Sequence, residues 1–208
     1  LMNLDEKLAL EKMDNELLEG EDKWILSRMN SVIDEVTTNL DKYEIGMAAQ
    51  RIYDFIWDEY CDWYIEMVKP RLYGDNKESK ETAEKVLLHV LENILKLLHP
   101  FMPFITEEIW RHLPGRKEAL IVSSWPLYNE GKKNLEAEKR MAFVMEAIKG
   151  IRNARQEMNI APSRKATLVF ITKDEEIKET IDYGKRYFTS LASGEDIKIQ
   201  EDKSNLGE

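Results

Sequence analysis

The chain has 208 residues, 43% of them apolar, and a formal net charge of −10 from 40 acidic and 30 basic side chains. That is enough apolar material for a substantial core without covalent staples, and the single cysteine, Cys61, permits no internal disulfide. The acidic excess argues against a general nucleic-acid coat, whose affinity comes from Lys and Arg displacing counterions. No apolar run approaches the roughly 18 residues that cross a bilayer, and no charged-then-apolar leader is visible.

These features imply a cytoplasmic protein, and the opening LMNLDEK and closing SNLGE read as internal to a longer polypeptide. From Glu21 to about Leu40, Ile25, Met29, Val32, Ile33, Val36 and Leu40 recur at three- and four-residue steps, which predicts an amphipathic helix with acids at its positive end. From about Tyr43 to Met67 two stripes run side by side, one through Ile45, Ala48, Ile52 and Phe55, the other through Tyr53, Trp57, Tyr60 and Tyr64. A helix so widely apolar is a central one, and Pro70 is read as its end. The polar GDNKESK is a loop, followed by a third helix from about Lys80 to Leu98.

LLHPFMPFITEEIW, residues 97 to 110, then predicts helix, corner, helix. Pro100 has no amide to donate and biases His99 away from helical angles, while Pro103 suits the first turn of a helix. Phe101, Met102, Phe104 and Ile105 make this corner an expected core element. The fourth helix runs to about Leu113 before Pro114 and Gly115, and ALIVSSWP is read as an extended segment crossing the bundle surface. A fifth helix spans about Asn134 to Met158. Beyond Ala161, ATLVFIT, DEEIKETIDYGKRYFTSLAS and DIKIQ read as strand, helix and strand. The fold class expected is mainly α: a helical bundle over residues 1–130, then a long helix and a small α/β appendage over 131–205. No internal repeat and no low-complexity segment is visible.

Catalytic chemistry is not evident. His89, His99 and His112 have no partners at metal-ligand spacing, and no metal site is expected. Asp54, Asp58 and Asp62, four apart, read as a solvated acidic face, and Cys61 as a small buried hydrophobe among aromatics. No Gly-rich phosphate loop is present.

Two places depart from a plain bundle. At 100° per residue, Trp24 lies about 130° from the centre of its helix's apolar stripe, with Ser27, Arg28 and Ser31 on the same side. An indole beside a guanidinium and hydroxyls suits a stacked, unpaired base; the alternative is that another element covers it. Residues 149–165, KGIRNARQEMNIAPSRK, hold five basic residues against one acid. Arg152 and Arg155, three apart, offer a phosphate backbone a cation pair, or else form ion pairs with the acidic face of the central helix.

DKWILSRMN at 22–30, IYDFIWDEYCDWYIEMVKP at 52–70, LLHPFMPFITEEIW at 97–110, SSWP at 123–126 and IRNARQEMNIAPS at 151–163 together resemble the anticodon-binding region of valyl-tRNA synthetases. The resemblance implies a parent class I ligase that is monomeric and cytoplasmic and joins valine to its tRNA using ATP. The present chain would be the bundle that grips the anticodon stem-loop of valine tRNA. It also implies that Trp24 is a stacking platform, with Lys23 and Arg28 as cations and Val86 or Leu87 as an apolar wall. Arg152 and Arg155 would be backbone contacts or structural ion pairs.

HIGH and KMSKS, the family's nucleotide-binding signatures, do not occur, so the chain alone should activate no amino acid and needs no cofactor. Family members also carry a bundle helix before the LMNL segment and, in many, a coiled coil after the region ending at Glu208. Lacking both, this chain is expected to bind tRNA weakly. The competing reading is a protein-interaction bundle in which Trp24 and the basic segment are internal.

Overall fold

The structure, a computed structural model, describes residues 14–115, 118–161 and 163–202. The chain divides into two compact units, Leu1–Ala137 and Glu138–Glu208. The division falls inside a helix, a few residues beyond the expected boundary at 130.

In the first unit, α1 (Gly20–Asp41) begins with a reciprocal cap: the Glu19 side chain accepts from the backbone of Asp22, whose own side chain accepts from Glu19 N. It ends in a reversal in which Tyr43 takes a left-handed φ of 61° and Glu44 N donates to Asn39 O. The predicted central helix is a continuous helical run of three parts: α2 (Ile45–Asp54), a π-helical segment (Phe55–Ile65) and α3 (Glu66–Leu72). Its wider turns rotate the side-chain phase away from the 3.6-residue period. Phe55, Tyr60, Trp63 and Tyr64 are therefore buried while Tyr53 and Trp57 stay exposed, and Cys61 is half-buried rather than buried.

Pro70 does not end this run, which continues to Leu72. The lost ladder bond is tolerated because the next residue, Arg71, is anchored by side-chain bonds to α1 and α4.

The third helix, α4 (Lys77–Leu98), starts three residues earlier than expected because Asn76 caps it, accepting from Ser79 N. Ser79 Oγ donates to Glu19 Oε1 over 2.7 Å, so α1 and α4 start level. Both run antiparallel to the α2 to α3 run, through Arg28–Glu59 and Arg71–Asp22 for α1 and Tyr60–Leu87 and Arg71–Ser79 for α4, and so run in the same direction as each other. The unit's core lies where they meet, among Ile25, Val32, Val36, Ile52, Phe55, Val68, Val86 and Val90.

At the double-proline corner α4 stops after Leu98 and α5 (Pro103–Arg111) starts on its proline, as the sequence predicts. Two expectations fail there. His99 keeps helical angles (φ −56°, ψ −40°), since its N–H still donates to Leu95 O and its Nδ1 lies 2.7 Å from Thr106 Oγ1. Nor is the corner core: Met102, Phe104 and Ile105 are exposed. What α5 buries instead is Trp110, in a second cluster with Leu88, Leu95, Leu113 and Leu120.

Residues 120–122 form a single 3-10 turn, not an extended stretch. The chain then runs back along α1: Trp125 Nε1 donates to Thr37 Oγ1 (2.9 Å), Asn129 and Asn30 exchange two bonds, and Asn134 N donates to Ser27 Oγ (2.8 Å).

In the second unit, α6 (Leu135–Glu157), which begins just before it, leads to β1 (Ala166–Ile171), α7 (Glu175–Leu191) and β2 (Gly194–Gln200). The strands pair in parallel, with Leu168 opposite Ile197 and Phe170 opposite Ile199, so α7 is the crossover that such a pair requires. Its core joins Val144 and Ile148 to Ile181 and Phe188, and Phe188 also packs on Phe170 at 4.9 Å between ring centres. Gly184 permits the close approach of the two helices: a Cβ there would lie 2.9 Å from Val144.

Candidate nucleic-acid interface

The end of the first unit where α1 and α4 begin is the place the sequence marks for RNA. Two helix amino termini bring partial positive charge together there. Inside that end sits a charged cluster that sequence periodicity missed. Arg71 Nη1 lies 2.9 Å from Glu21 Oε1 and 2.7 Å from Asp22 Oδ2, its Nη2 donates to Ser79 O, and Tyr64 OH donates to Asp22 Oδ1 over 2.7 Å. Glu21 and Asp22 are fully buried and Arg71 is 9% exposed. Burial pushes the Asp22 carboxyl above its ordinary value, with Arg71 and the Tyr64 hydroxyl working in the opposite direction. Burial also drives the Tyr64 phenol well up, reinforced by the Asp22 charge. The only sequence signal for this cluster was a pair of acids in a helix's first turn, which normally face water.

The predicted site residues fare differently. Lys23 is exposed at the start of α1, as a phosphate contact needs. Trp24 is not displayed: the residue is 3% exposed. The angular argument set Trp24 and Ser27 off the main stripe, but it could not see the chain returning along α1, where Asn134 N donates to the wholly buried Ser27. Arg28 does not stand beside a free indole either. Its Nε and Nη2 clasp Glu59 at 2.6 and 3.0 Å, and Arg51 joins the same carboxylate at 3.3 Å while also pairing with Glu35. Val86 is fully buried and Leu87 half-buried, with the Leu87 carbonyl accepting from Tyr60 OH at 3.0 Å. The α1 to α2 groove around Arg51 carries Asp34, Glu35 and Asp54, an acidic lining that repels phosphate.

In the second unit Arg152 and Arg155 do not form a matched pair. Arg152 is exposed and donates from Nε to Leu191 O (3.0 Å). Arg155 is 9% exposed and its Nη2 donates to the carbonyls of Ala161 (3.2 Å) and Arg164. Asn159, at φ 53°, ends α6 with Ile160 N donating to Arg155 O, so Arg155 ties off the turn from helix to strand. Replacing it, Arg155→Met, leaves two carbonyls without their donor and is expected to cost about 1–3 kcal/mol. Urea unfolding followed by circular dichroism measures this; an unchanged midpoint would return Arg155 to the list of free cations.

Among the described residues, no three His, Cys, Asp or Glu side chains converge to hold a metal ion, and no helix is long and apolar enough to cross a membrane. What the described residues at this end offer a ligand is charge and shape.

Comparison with known proteins accounts for such a surface. Residues 22–170 match the family model of the anticodon-binding domain of tRNA ligase. The chain is 48% identical over 206 residues to a valine-tRNA ligase of Clostridium perfringens, covering 99% of this chain and 23% of that protein. It is 46% identical over 208 residues to the enzyme of Clostridium acetobutylicum (100% and 24%) and 41% identical over 206 residues to that of Bacillus anthracis (97% and 23%). The chain thus spans about a quarter of the length of these relatives. With nearly all of α1, the whole of α4, the double-proline corner and the basic stretch before β1 inside the matched residues, this chain belongs to the anticodon-binding domain family of tRNA ligases.

Proposed function

We propose that the chain is the RNA-grasping module of a cytoplasmic valine-tRNA ligase and binds the anticodon stem-loop of valine tRNA. The parent polypeptide attaches valine to that tRNA at the expense of ATP, in domains this chain does not include. The observation that carries the proposal is the family match from 22 to 170, together with similarity over 99% of this chain to 23% of a valine-tRNA ligase. Within this reading the residues divide by exposure. Lys23, at the mouth of α1, is the direct cation toward RNA, and Leu87 offers the partly open apolar contact. Trp24, Val86 and the Arg28–Glu59 pair hold that surface in shape from behind. Arg152 is proposed, independently, as a contact to the RNA backbone, and Arg155 as its structural support.

Titration of valine tRNA at increasing salt tests the proposal, on this chain and on the parent ligase. Binding should require the valine anticodon and fade with salt, and Lys23→Glu should weaken it and flatten the log K against log [salt] slope by about 0.7–1. Equal binding of tRNAs with unrelated anticodons, or an unchanged salt slope in the variant, would overturn it.

A further inference from the structure

The end of the first unit where α1 and α4 begin also receives the carboxyl end of α3, because Arg71 is tied there to Glu21 and Asp22 of α1 and to Ser79 of α4. Two residues further on, at most about 7 Å along the chain, stands Tyr73, which is 86% exposed. Its ring is in the open while its backbone is fixed: Tyr73 N donates to Lys69 O over 3.2 Å, and Gly74 N to Arg71 O over 3.3 Å. The turn closes so tightly that a Cβ on Gly74 would lie 2.9 Å from Pro70 O. Other aromatic rings are exposed, but elsewhere. Tyr43 and Phe104 lie beyond the carboxyl ends of α1 and α4, and Tyr53 and Trp57 lie within the central helical run.

The loop that follows, residues 74–78, holds Asp75 and Glu78 against Lys77 alone, so it does not attract phosphate. What this corner presents is a flat, uncharged π face, with Lys23 exposed on the first turn of α1, next in sequence to the Asp22 that Arg71 holds. A splayed nucleotide needs that combination, and the Trp24 indole, being buried, does not supply it. We infer, on the reading of this chain as an anticodon-binding module, that Tyr73 is a stacking platform for an unpaired base of the anticodon loop. The contact is to the face of a base, so it acts on affinity without changing the charge of the complex. Because the turn beneath the ring is already closed, little backbone freedom is lost on binding.

Binding of valine tRNA by the full-length parent ligase at several salt concentrations tests this role. Tyr73→Ala should weaken binding about ten-fold or more at every salt concentration while leaving the slope of log K against log [salt] unchanged, in contrast to Lys23→Glu. Tyr73→Phe and Tyr73→Trp should bind nearly as the natural protein does, whereas Tyr73→Leu, apolar but without a π face, should bind about as poorly as Tyr73→Ala. The position is exposed, so the urea unfolding midpoint should stay the same in all four variants. Valine tRNA carrying 5-iodouridine at one anticodon-loop position at a time should cross-link, on long-wavelength irradiation, to the peptide containing Tyr73. Undiminished binding by Tyr73→Ala, equal losses in Tyr73→Phe and Tyr73→Ala, or cross-links confined to other peptides would overturn the stacking role. Anticodon-dependent binding that ignores Tyr73 would remove that role alone. Binding by the unaltered ligase without regard to anticodon would instead bring down the anticodon reading, and the stacking role with it.

Discussion

Arg71→Met is expected to destabilise the first unit by about 3–5 kcal/mol, a large part of the 5–15 kcal/mol that holds a typical domain together. The substitution keeps the length of the side chain but removes the cation shared by Glu21 and Asp22, both wholly enclosed. Two carboxylates would then face each other in a low-dielectric interior with only the Tyr64 hydroxyl and lesser partners for support. Adding Glu21→Gln and Asp22→Asn to Arg71→Met should recover much of the loss, because a neutral buried cluster carries no charge-burial cost.

The pH dependence has a definite sign. Asp22 binds its proton more tightly folded than unfolded, because burial raises its carboxyl. Its contribution to stability is therefore greatest below the ordinary carboxylate range and is lost as pH rises through the elevated value. Removing Arg71, which counteracts burial, should extend that loss to higher pH, so Arg71→Met should lose less stability at pH 5 than at pH 8. Urea unfolding at the two pH values measures it. Equal destabilisation at both, or a cost under about 1 kcal/mol, would mean the cluster is open to water.

Trp24→Ala should cost about 3–5 kcal/mol, the range for emptying a buried aromatic site. Trp24→Phe should retain most of that stability, since a smaller ring still fills much of the space. The pair separates the two roles considered for this residue. If the indole supports the surface from within, tRNA binding by Trp24→Ala should decline in step with the folded fraction, and Trp24→Phe should bind nearly as the natural chain does. If the ring is a stacking platform, Trp24→Ala should leave the unfolding midpoint almost unchanged while abolishing anticodon-dependent binding. Chemical unfolding and tRNA titration of the same samples distinguish these outcomes.

Much of the α architecture was legible because it depends on local rules. The stripe of α1, the stop of α4 at Leu98, the proline start of α5 and the strand-helix-strand order after Ala161 all follow from periodicity and backbone stereochemistry over a few residues. The earlier start of α4 has an equally local cause in the Asn76 cap, whereas the run past Pro70 is accompanied by the distant partners of Arg71. The candidate site was less legible. Trp24 and Arg155, expected to face RNA, lie inside, and Arg28 is paired, because a residue's exposure depends on elements far away in sequence. Asn134 reaches Ser27 across 107 positions, and Arg71 reaches Glu21 across 50.

The amino-acid sequence alone determined that this is a helical bundle with a small α/β unit and, through its motifs, which family it resembles. Only the tertiary structure decided which charged and aromatic groups face water. It buried an Arg–Glu–Asp cluster at one end of the first unit and left the apolar corner bare at the other. The physical reason is that hydrophobic periodicity describes one helix against one neighbour. A helix packed on two sides, a helical turn widened to π geometry and a charge neutralised by a distant partner each leave a pattern that a single-helix projection cannot distinguish from an exposed face.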